Sequence, residues 1–258
     1  MATVKAISFD LWDTVFVDDS DERKRMGHGL PPKARARRDL VADYLDLVAP
    51  VPRALIDTAY DAIDEAFRKV WHEQHITWTV RDRLSLVLKT LQRELPDPIM
   101  AELVVRNEEM ELGFKPELVP GIEQALRALH GRYSLVVISD AIFSPGWALR
   151  KLLDHYDLYD LFDGFVFSDE VGRSKPAPQV FFRAAALAGC SVDEMVHIGD
   201  REHNDIQGAH SVGALAVLVT AARDRGSDNT WADAVCHDYA ALPGLLETLE
   251  RKHPEGTP

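Results

Sequence analysis

Short apolar runs that stop on a polar residue recur along the chain: AISFD (6–10), SLVVISD (134–140), GFVFSD (164–169), MVHIGD (195–200) and ALAVLVT (214–220). Each is too short for an independent helix, and most lack the alternation of a strand with one wet face. They therefore predict β-strands buried on both faces. Between the later runs lie segments with apolar residues at helical spacing, such as GIEQALRALHG and APQVFFRAAALAGC. Strand, helix and strand in succession predict an α/β fold with a parallel sheet and right-handed crossovers. Residues 18–117 carry another pattern. Ile56, Ala59, Tyr60, Ile63, Phe67, Val70 and Trp71 share one helical face, Leu84, Leu88, Leu91 and Leu95 repeat it, and prolines at 31–32 and around 96–98 interrupt it. A helical unit (18–117) inserted after the first strand is expected, leaving a sheet domain built from 1–17 and 118–258.

In such sheets ligands bind beyond the carboxyl ends of the strands. Those ends supply Asp10, Ser139 with Asp140, Ser168 with Asp169, and Gly199 with Asp200; Lys175 follows in GRSKPAP and Asp205 in GDREHND. Taken singly, the aspartates read as solvated loop residues, Ser139 as a turn or cap hydroxyl and Lys175 as a surface lysine. The fold gathers them at one edge. Three ionised carboxylates (Asp10, Asp200, Asp205) repel in one cleft unless a cation joins them, and a hard, oxygen-seeking ion such as Mg²⁺ suits that donor set. Gly199 lets backbone pass close by. With Lys175 and Ser139 offsetting phosphoryl charge, Asp10 is placed to attack in line and form an aspartyl-phosphate. The chain has no Gly-rich phosphate loop, HExxH or GxSxG motif.

Charge narrows the partners. The 258 residues include 42 acidic and 29 basic ones, a formal net charge of −13, which disfavours nonspecific attraction to nucleic acid or anionic membrane. A locally positive pocket for a small phosphorylated substrate is compatible with it. Cys190 and Cys236 lack metal-ligand spacing, so a reducing compartment is expected and a zinc site is not. With no signal peptide and no apolar run near the ~20 residues a bilayer requires, a cytoplasmic protein is expected.

The elements SFDLWDTV, VVISDA, GRSKPAP and HIGDREHND resemble, in order, the four motifs of the haloacid dehalogenase-like (HAD) superfamily, and the resemblance covers nearly the whole chain. It implies a Rossmann-like core, a cap formed by the helical insert, Asp10 as nucleophile, and Ser139 and Lys175 on the phosphate. Mg²⁺ is then held by Asp10, Asp200, Asp205 and the backbone carbonyl of Trp12, while Trp12, Thr14 and Asp140 complete the substrate-binding set. The chain departs from the pattern at Trp12, where the family's phosphatases carry a second, acid–base aspartate. Asp13 does not replace it by a shift in register, because Thr14 fixes the alignment. The dehalogenase branch has an aromatic residue in this slot, which makes halide displacement the enzymatic rival, although that branch needs no metal and lacks the acidic GDREHND-type motif. The phosphonatase branch recruits a cap lysine, for which Lys69 and Lys89 are nominal candidates. A catalytically silent module that binds a phosphorylated ligand or a protein is the third reading. Without a general acid, turnover should depend steeply on the leaving group.

Four further features carry a plain expectation and a functional alternative. KARARR (33–38) reads as a solvated helix face, or as an attractor of anionic substrate. DDSDE (18–22) reads as an exposed turn, or as the source of a substitute proton donor in Asp18 or Asp19. His203 reads as a loop histidine or a proton shuttle. Trp71 and Trp78 read as core of the insert or as pocket wall.

Overall fold

The computed structural model describes residues 3–252. Six strands, β1 (Ala6–Phe9), β2 (Ser134–Ser139), β3 (Gly164–Phe167), β4 (Met195–Gly199), β5 (Leu215–Val219) and β6 (Ala234–Cys236), form one parallel sheet in the order β3-β2-β1-β4-β5-β6. Between β1 and β2 run α1 (Asp21–Gly27), α2 (Lys33–Asp46), α3 (Arg53–Gln74), α4 (Val80–Thr90), α5 (Asp97–Glu108), the short α6 (Met110–Gly113) and α7 (Ile122–Leu129). The later helices are α8 (Gly146–His155), α9 (Ser168–Val171), α10 (Pro178–Ala188), α11 (Gly208–Ser211) and α12 (Leu242–Lys252). Five strands fall on the apolar runs. The run at 164–169 is shorter than expected, because Ser168 and Asp169 open α9. β6 has only three residues and shows no periodicity to read.

Alternate residues of each strand bury opposite faces. Ile7, Phe9, Leu135 and Val137 join one apolar cluster with residues of α7, α8 and α12, whereas Ala6, Val136 and Ile138 join another with Val180, Phe181 and Ala184 of α10. A sheet covered on both faces is the α/β Rossmann-like arrangement. The helices between β1 and α7 have a third cluster of their own, including Val41, Leu45, Ile56, Leu84, Val87 and Leu103. Prolines set their starts: Pro32, Pro52 and Pro96 stand immediately before α2, α3 and α5, where neither the fixed φ nor the missing N–H is a penalty. α4 begins instead with a Thr79–Asp82 capping box. No helix among the described residues is long and apolar enough to cross a membrane.

Because β1 lies between β2 and β4, its carboxyl end is flanked by theirs. Asp10, Ser139 and Asp200 consequently meet at one edge of the sheet.

Candidate active site

Asp10 follows β1 directly, and its N–H donates to the Ile198 carbonyl at 2.9 Å. Asp200 follows β4, and Asp205 sits on a π-helical turn, Glu202–Gln207, just beyond it. One carboxylate oxygen from each of Asp10, Asp200 and Asp205 lies within 4.8 Å of the others, and all three residues are buried. Gly199 makes the crowding possible: a Cβ there would come within 2.3 Å of Asp205 Cγ.

Lys175 Nζ lies 2.7 Å from Asp10 Oδ1 and 2.6 Å from Asp205 Oδ1. Burial works to lower the Lys175 pKa, but Asp10, Asp205 and Asp140 outweigh it and hold the ammonium charged. Burial likewise works to raise Asp205, yet Lys175 and the His197 hydrogen bond keep its carboxyl well below the ordinary range. Asp200 is pushed up to about 7 by burial, then by Asp205 and Asp10, and burial also raises Asp10 against the pull of Lys175. Carboxyls forced upward together mark a site short of positive charge.

Surrounding groups fix these side chains. His197 Nε2 lies 3.1 Å from Asp205 Oδ1, and its Nδ1 lies 2.8 Å from Ser8 Oγ. Burial lowers the imidazole pKa, so the neutral ring donates Nε2–H to Asp205 and accepts the Ser8 hydroxyl proton at Nδ1. Arg225 bridges Asp200 and Asp13, with Nε 2.5 Å from Asp200 Oδ2 and Nη2 2.6 Å from Asp13 Oδ2. Asp13 adopts a left-handed φ of 53°, and its Oδ1 accepts the Asp18 N–H at 3.0 Å. Asp140 Oδ1 accepts the Lys175 N–H at 3.0 Å, and its Oδ2 accepts from Asn204 Nδ2 at 3.2 Å; burial pushes this carboxyl up to about 7. The buried hydroxyls of Ser139 and Thr14 have no hydrogen-bond partner among the described residues.

A cleft of about 380 Å³ opens over the site, within the usual range for a small-molecule pocket. Asp10, Trp12, Asp140 and Lys175 line one side, while Lys33, Arg37 and Trp71 of the helical segment line the other.

Residues 4–213 match the haloacid dehalogenase-like hydrolase family. The chain belongs to that family. It is 27% identical over 254 residues to the glyceraldehyde 3-phosphate phosphatase of Pyrococcus furiosus, covering 98% of this chain and 96% of the relative. It is 25% identical over 231 residues to the phosphoglycolate phosphatase of Salmonella typhi, covering 85% and 82%. The crystal structure of 2-haloacid dehalogenase from Pseudomonas syringae pv. Tomato DC3000 shares the fold, with a TM-score of 0.68 at 20% identity over 96% of this chain and 100% of that one.

In this HAD hydrolase the strand-end residues divide. Asp10, Trp12, Asp140 and Lys175 line the cleft, whereas Thr14, Ser139, Asp200 and Asp205, all buried, are not among its lining residues. Ser168 and Asp169 serve the fold: Ser168 Oγ accepts the Ala141 N–H, and Asp169 accepts the Gly146 N–H at the start of α8. His203 is exposed and 3.3 Å from Gln207 Oε1. Trp78 packs on Phe67, and Lys69 and Lys89 are exposed.

Two plain expectations do not hold. The KARARR face is solvated only in part: Arg35 and Arg38 reach surface aspartates, but Lys33 and Arg37, one turn apart on the opposite side, are 4% and 6% exposed and line the cleft. Nor is the acidic turn wholly exposed. Asp18 is half-buried in the cleft wall, with its carboxyl raised to about 6 by burial and then by Asp19 and Asp13. Sequence reasoning missed Arg225, which no motif marks, and Asn204, which lies inside HIGDREHND but was given no role there. It also missed His197, whose only signal was an imidazole inside the apolar MVHIG strand.

Proposed function

We propose that this HAD hydrolase is a Mg²⁺-dependent cytoplasmic phosphohydrolase, acting on small phosphate monoesters through an aspartyl-phosphate on Asp10. The observation that carries the reading is the buried cluster of Asp10, Asp200 and Asp205 with Lys175 against it. A halide-displacing site has no use for three converging carboxylates, and the names of the two curated relatives point to phosphate. The residues fit Mg²⁺. The donors are hard oxygens, Asp200 Oδ1 is buried without a hydrogen-bond partner, and a side chain at position 199 would displace Asp205.

Asp10, Asp200, Asp205 and the Trp12 carbonyl would hold the ion. Once bound, it supplies the positive charge that joins the carboxylates and offsets charge on the phosphoryl oxygens. The remaining work falls to the chain. Lys175, the Ser139 hydroxyl and the Thr14 hydroxyl receive the phosphoryl group, and Asp140 holds the Lys175 backbone. An Asp10 oxygen bonds to phosphorus as the ester P–O bond breaks. Asp18 is the proton donor in place of the aspartate absent at position 12: its acid form protonates the leaving alkoxide, and its base form then takes the proton of the water that hydrolyses the aspartyl-phosphate. The helical segment 18–117 acts as a cap that carries Asp18 and the far wall of the cleft.

Phosphate release from a panel of small monoesters, with Mg²⁺ and with EDTA, tests the reading. Turnover that requires Mg²⁺ is expected. Halide release from a 2-haloacid in EDTA, or ligand binding with no turnover of any monoester, would contradict it.

A further inference from the structure

The loop between β5 and β6 is fastened at two places. Asp224 Oδ1 accepts the N–H groups of Gly226 and Ser227, each at 2.9 Å, its Oδ2 accepts the Ser227 hydroxyl at 2.7 Å, and Gly226 takes a left-handed φ of 104°. Farther along, the Thr230 hydroxyl and the Trp231 N–H donate to Glu202, on the same π-helical turn that carries Asp205. The loop held in this way lays Arg225, whose side chain is 30% exposed, against two nearly sealed carboxylates, Asp200 at 1% and Asp13 at 4%.

The three clustered carboxylates are not held alike. Asp205 Oδ1 has Lys175 and His197, and its Oδ2 accepts the Arg201 N–H at 2.8 Å. Asp10 Oδ1 has Lys175. Asp200 has neither. Its Oδ1 is buried without a partner, and the Arg225 Nε–H on Oδ2 is its one side-chain hydrogen bond among the described residues. A single side chain therefore restrains the turning of that carboxylate. The restraint is as firm as whatever holds Arg225, and that is Asp13. Its Oδ2 takes the other arm of the guanidinium, its Oδ1 accepts the Asp18 N–H, and its own N–H donates to the Phe16 carbonyl at 2.7 Å. A planar guanidinium spans two carboxylates in a fixed geometry, which an ammonium on a flexible stem cannot do.

We infer that Arg225 is a positioning residue: it holds Asp200 in one orientation for the ion, so that the preference of the site for Mg²⁺ over Ca²⁺ depends on it. The inference rests on the Mg²⁺ assignment of the proposed function. Mg²⁺ demands near-ideal octahedral geometry with oxygens at about 2.0–2.1 Å, whereas Ca²⁺ accepts oxygens at about 2.3–2.6 Å in a flexible shell. A carboxylate of fixed orientation favours the first ion, and one free to turn accommodates the second. Charge alone works the other way, because a guanidinium beside the ligands repels a cation. It repels both divalent ions alike, so the ratio of their affinities isolates the geometry.

Calorimetric titration of the whole protein with Mg²⁺ and with Ca²⁺, as wild type, Arg225→Lys and Arg225→Met, reads that ratio. Arg225→Lys keeps the charge and loses the fork. Its Mg²⁺ affinity should fall by about 10–100-fold, the scale for losing a group that supports a metal ligand, with a smaller loss for Ca²⁺. Arg225→Met loses the charge as well, which favours both ions, yet its Mg²⁺-to-Ca²⁺ affinity ratio should still drop below that of the wild type. Cooperative urea unfolding in EDTA shows that each variant is folded. A wild type that binds Ca²⁺ as tightly as Mg²⁺, or a ratio unchanged or raised in either variant, would overturn the inference and leave the Mg²⁺ assignment standing. Wild-type protein that binds no Mg²⁺ would overturn the assignment itself, and the inference with it.

Discussion

Two residues after Asp10, the Trp12 indole packs on Phe16 with ring centroids 6.0 Å apart. An indole has no acidic proton to give a leaving alkoxide, so in the proposed reaction acid catalysis comes from elsewhere in the cleft. Asp18 is tied to the site through its N–H to Asp13, which Arg225 links in turn to Asp200, and its carboxyl is raised to about 6. Asp18→Asn should therefore lower turnover of alkyl phosphates by ~10²–10⁴-fold, the usual contribution of a general acid, and leave aryl phosphates nearly untouched. In the wild type the acid form is the active one, so alkyl-phosphate turnover should decline as pH rises through about 6. Equal losses on both substrate types, or none, would remove Asp18 from the mechanism and restore the steep leaving-group dependence expected from Trp12 alone. Asp18 was hard to see in the sequence because DDSDE has the composition of a solvated turn. Its place in the cleft wall is a tertiary feature that this composition does not reveal.

β4 and the π-helical turn after it act as one device: the strand delivers Gly199 and Asp200, and the turn folds Asp205 back over the glycine. Gly199→Ala should push Asp205 away and weaken Mg²⁺ binding by about 10–100-fold, the scale seen when groups supporting a metal ligand are lost. Calorimetric titration measures this, with cooperative unfolding as the control for folding. Unchanged affinity would show that Asp205 does not hold the ion. These elements were legible in the sequence for a physical reason. A strand buried on both faces of a parallel sheet is a continuous apolar run, and the polar residue that ends it marks the ligand edge. α2 was legible only as a helix. Lys33 and Arg37 are buried because Glu111, 74 residues beyond Arg37, accepts from it, and no local pattern announces such a partner. Arg225 is more remote still, 212 residues from the Asp13 it binds.

Across the whole molecule the site leaves a mark on stability. Asp140 and Asp200 have folded-state pKa values of about 7 against ordinary values of 3.8. Between those limits the folded chain keeps protons that the unfolded chain has released, so stability falls as pH rises through the window. His197, lowered by burial from 6.5, acts in the opposite sense but is a single group. The depressed carboxyls Asp205 and Glu111 matter only below about pH 4–5. Urea unfolding in EDTA should therefore show a more stable protein at about pH 5 than at about pH 7. Saturating Mg²⁺ should flatten that slope by keeping Asp200 ionised in the folded state. Stability rising with pH in EDTA would contradict the raised carboxyls. The proposed activity rests in the end on one bond, between Asp10 and phosphorus. Intact-mass spectrometry of protein quenched in acid during turnover of p-nitrophenyl phosphate with Mg²⁺ looks for that bond directly. Wild-type protein should carry one phosphoryl group, and Asp10→Asn should carry none and turn nothing over. A phosphorylated Asp10→Asn protein, or one with wild-type turnover, would contradict covalent catalysis through Asp10.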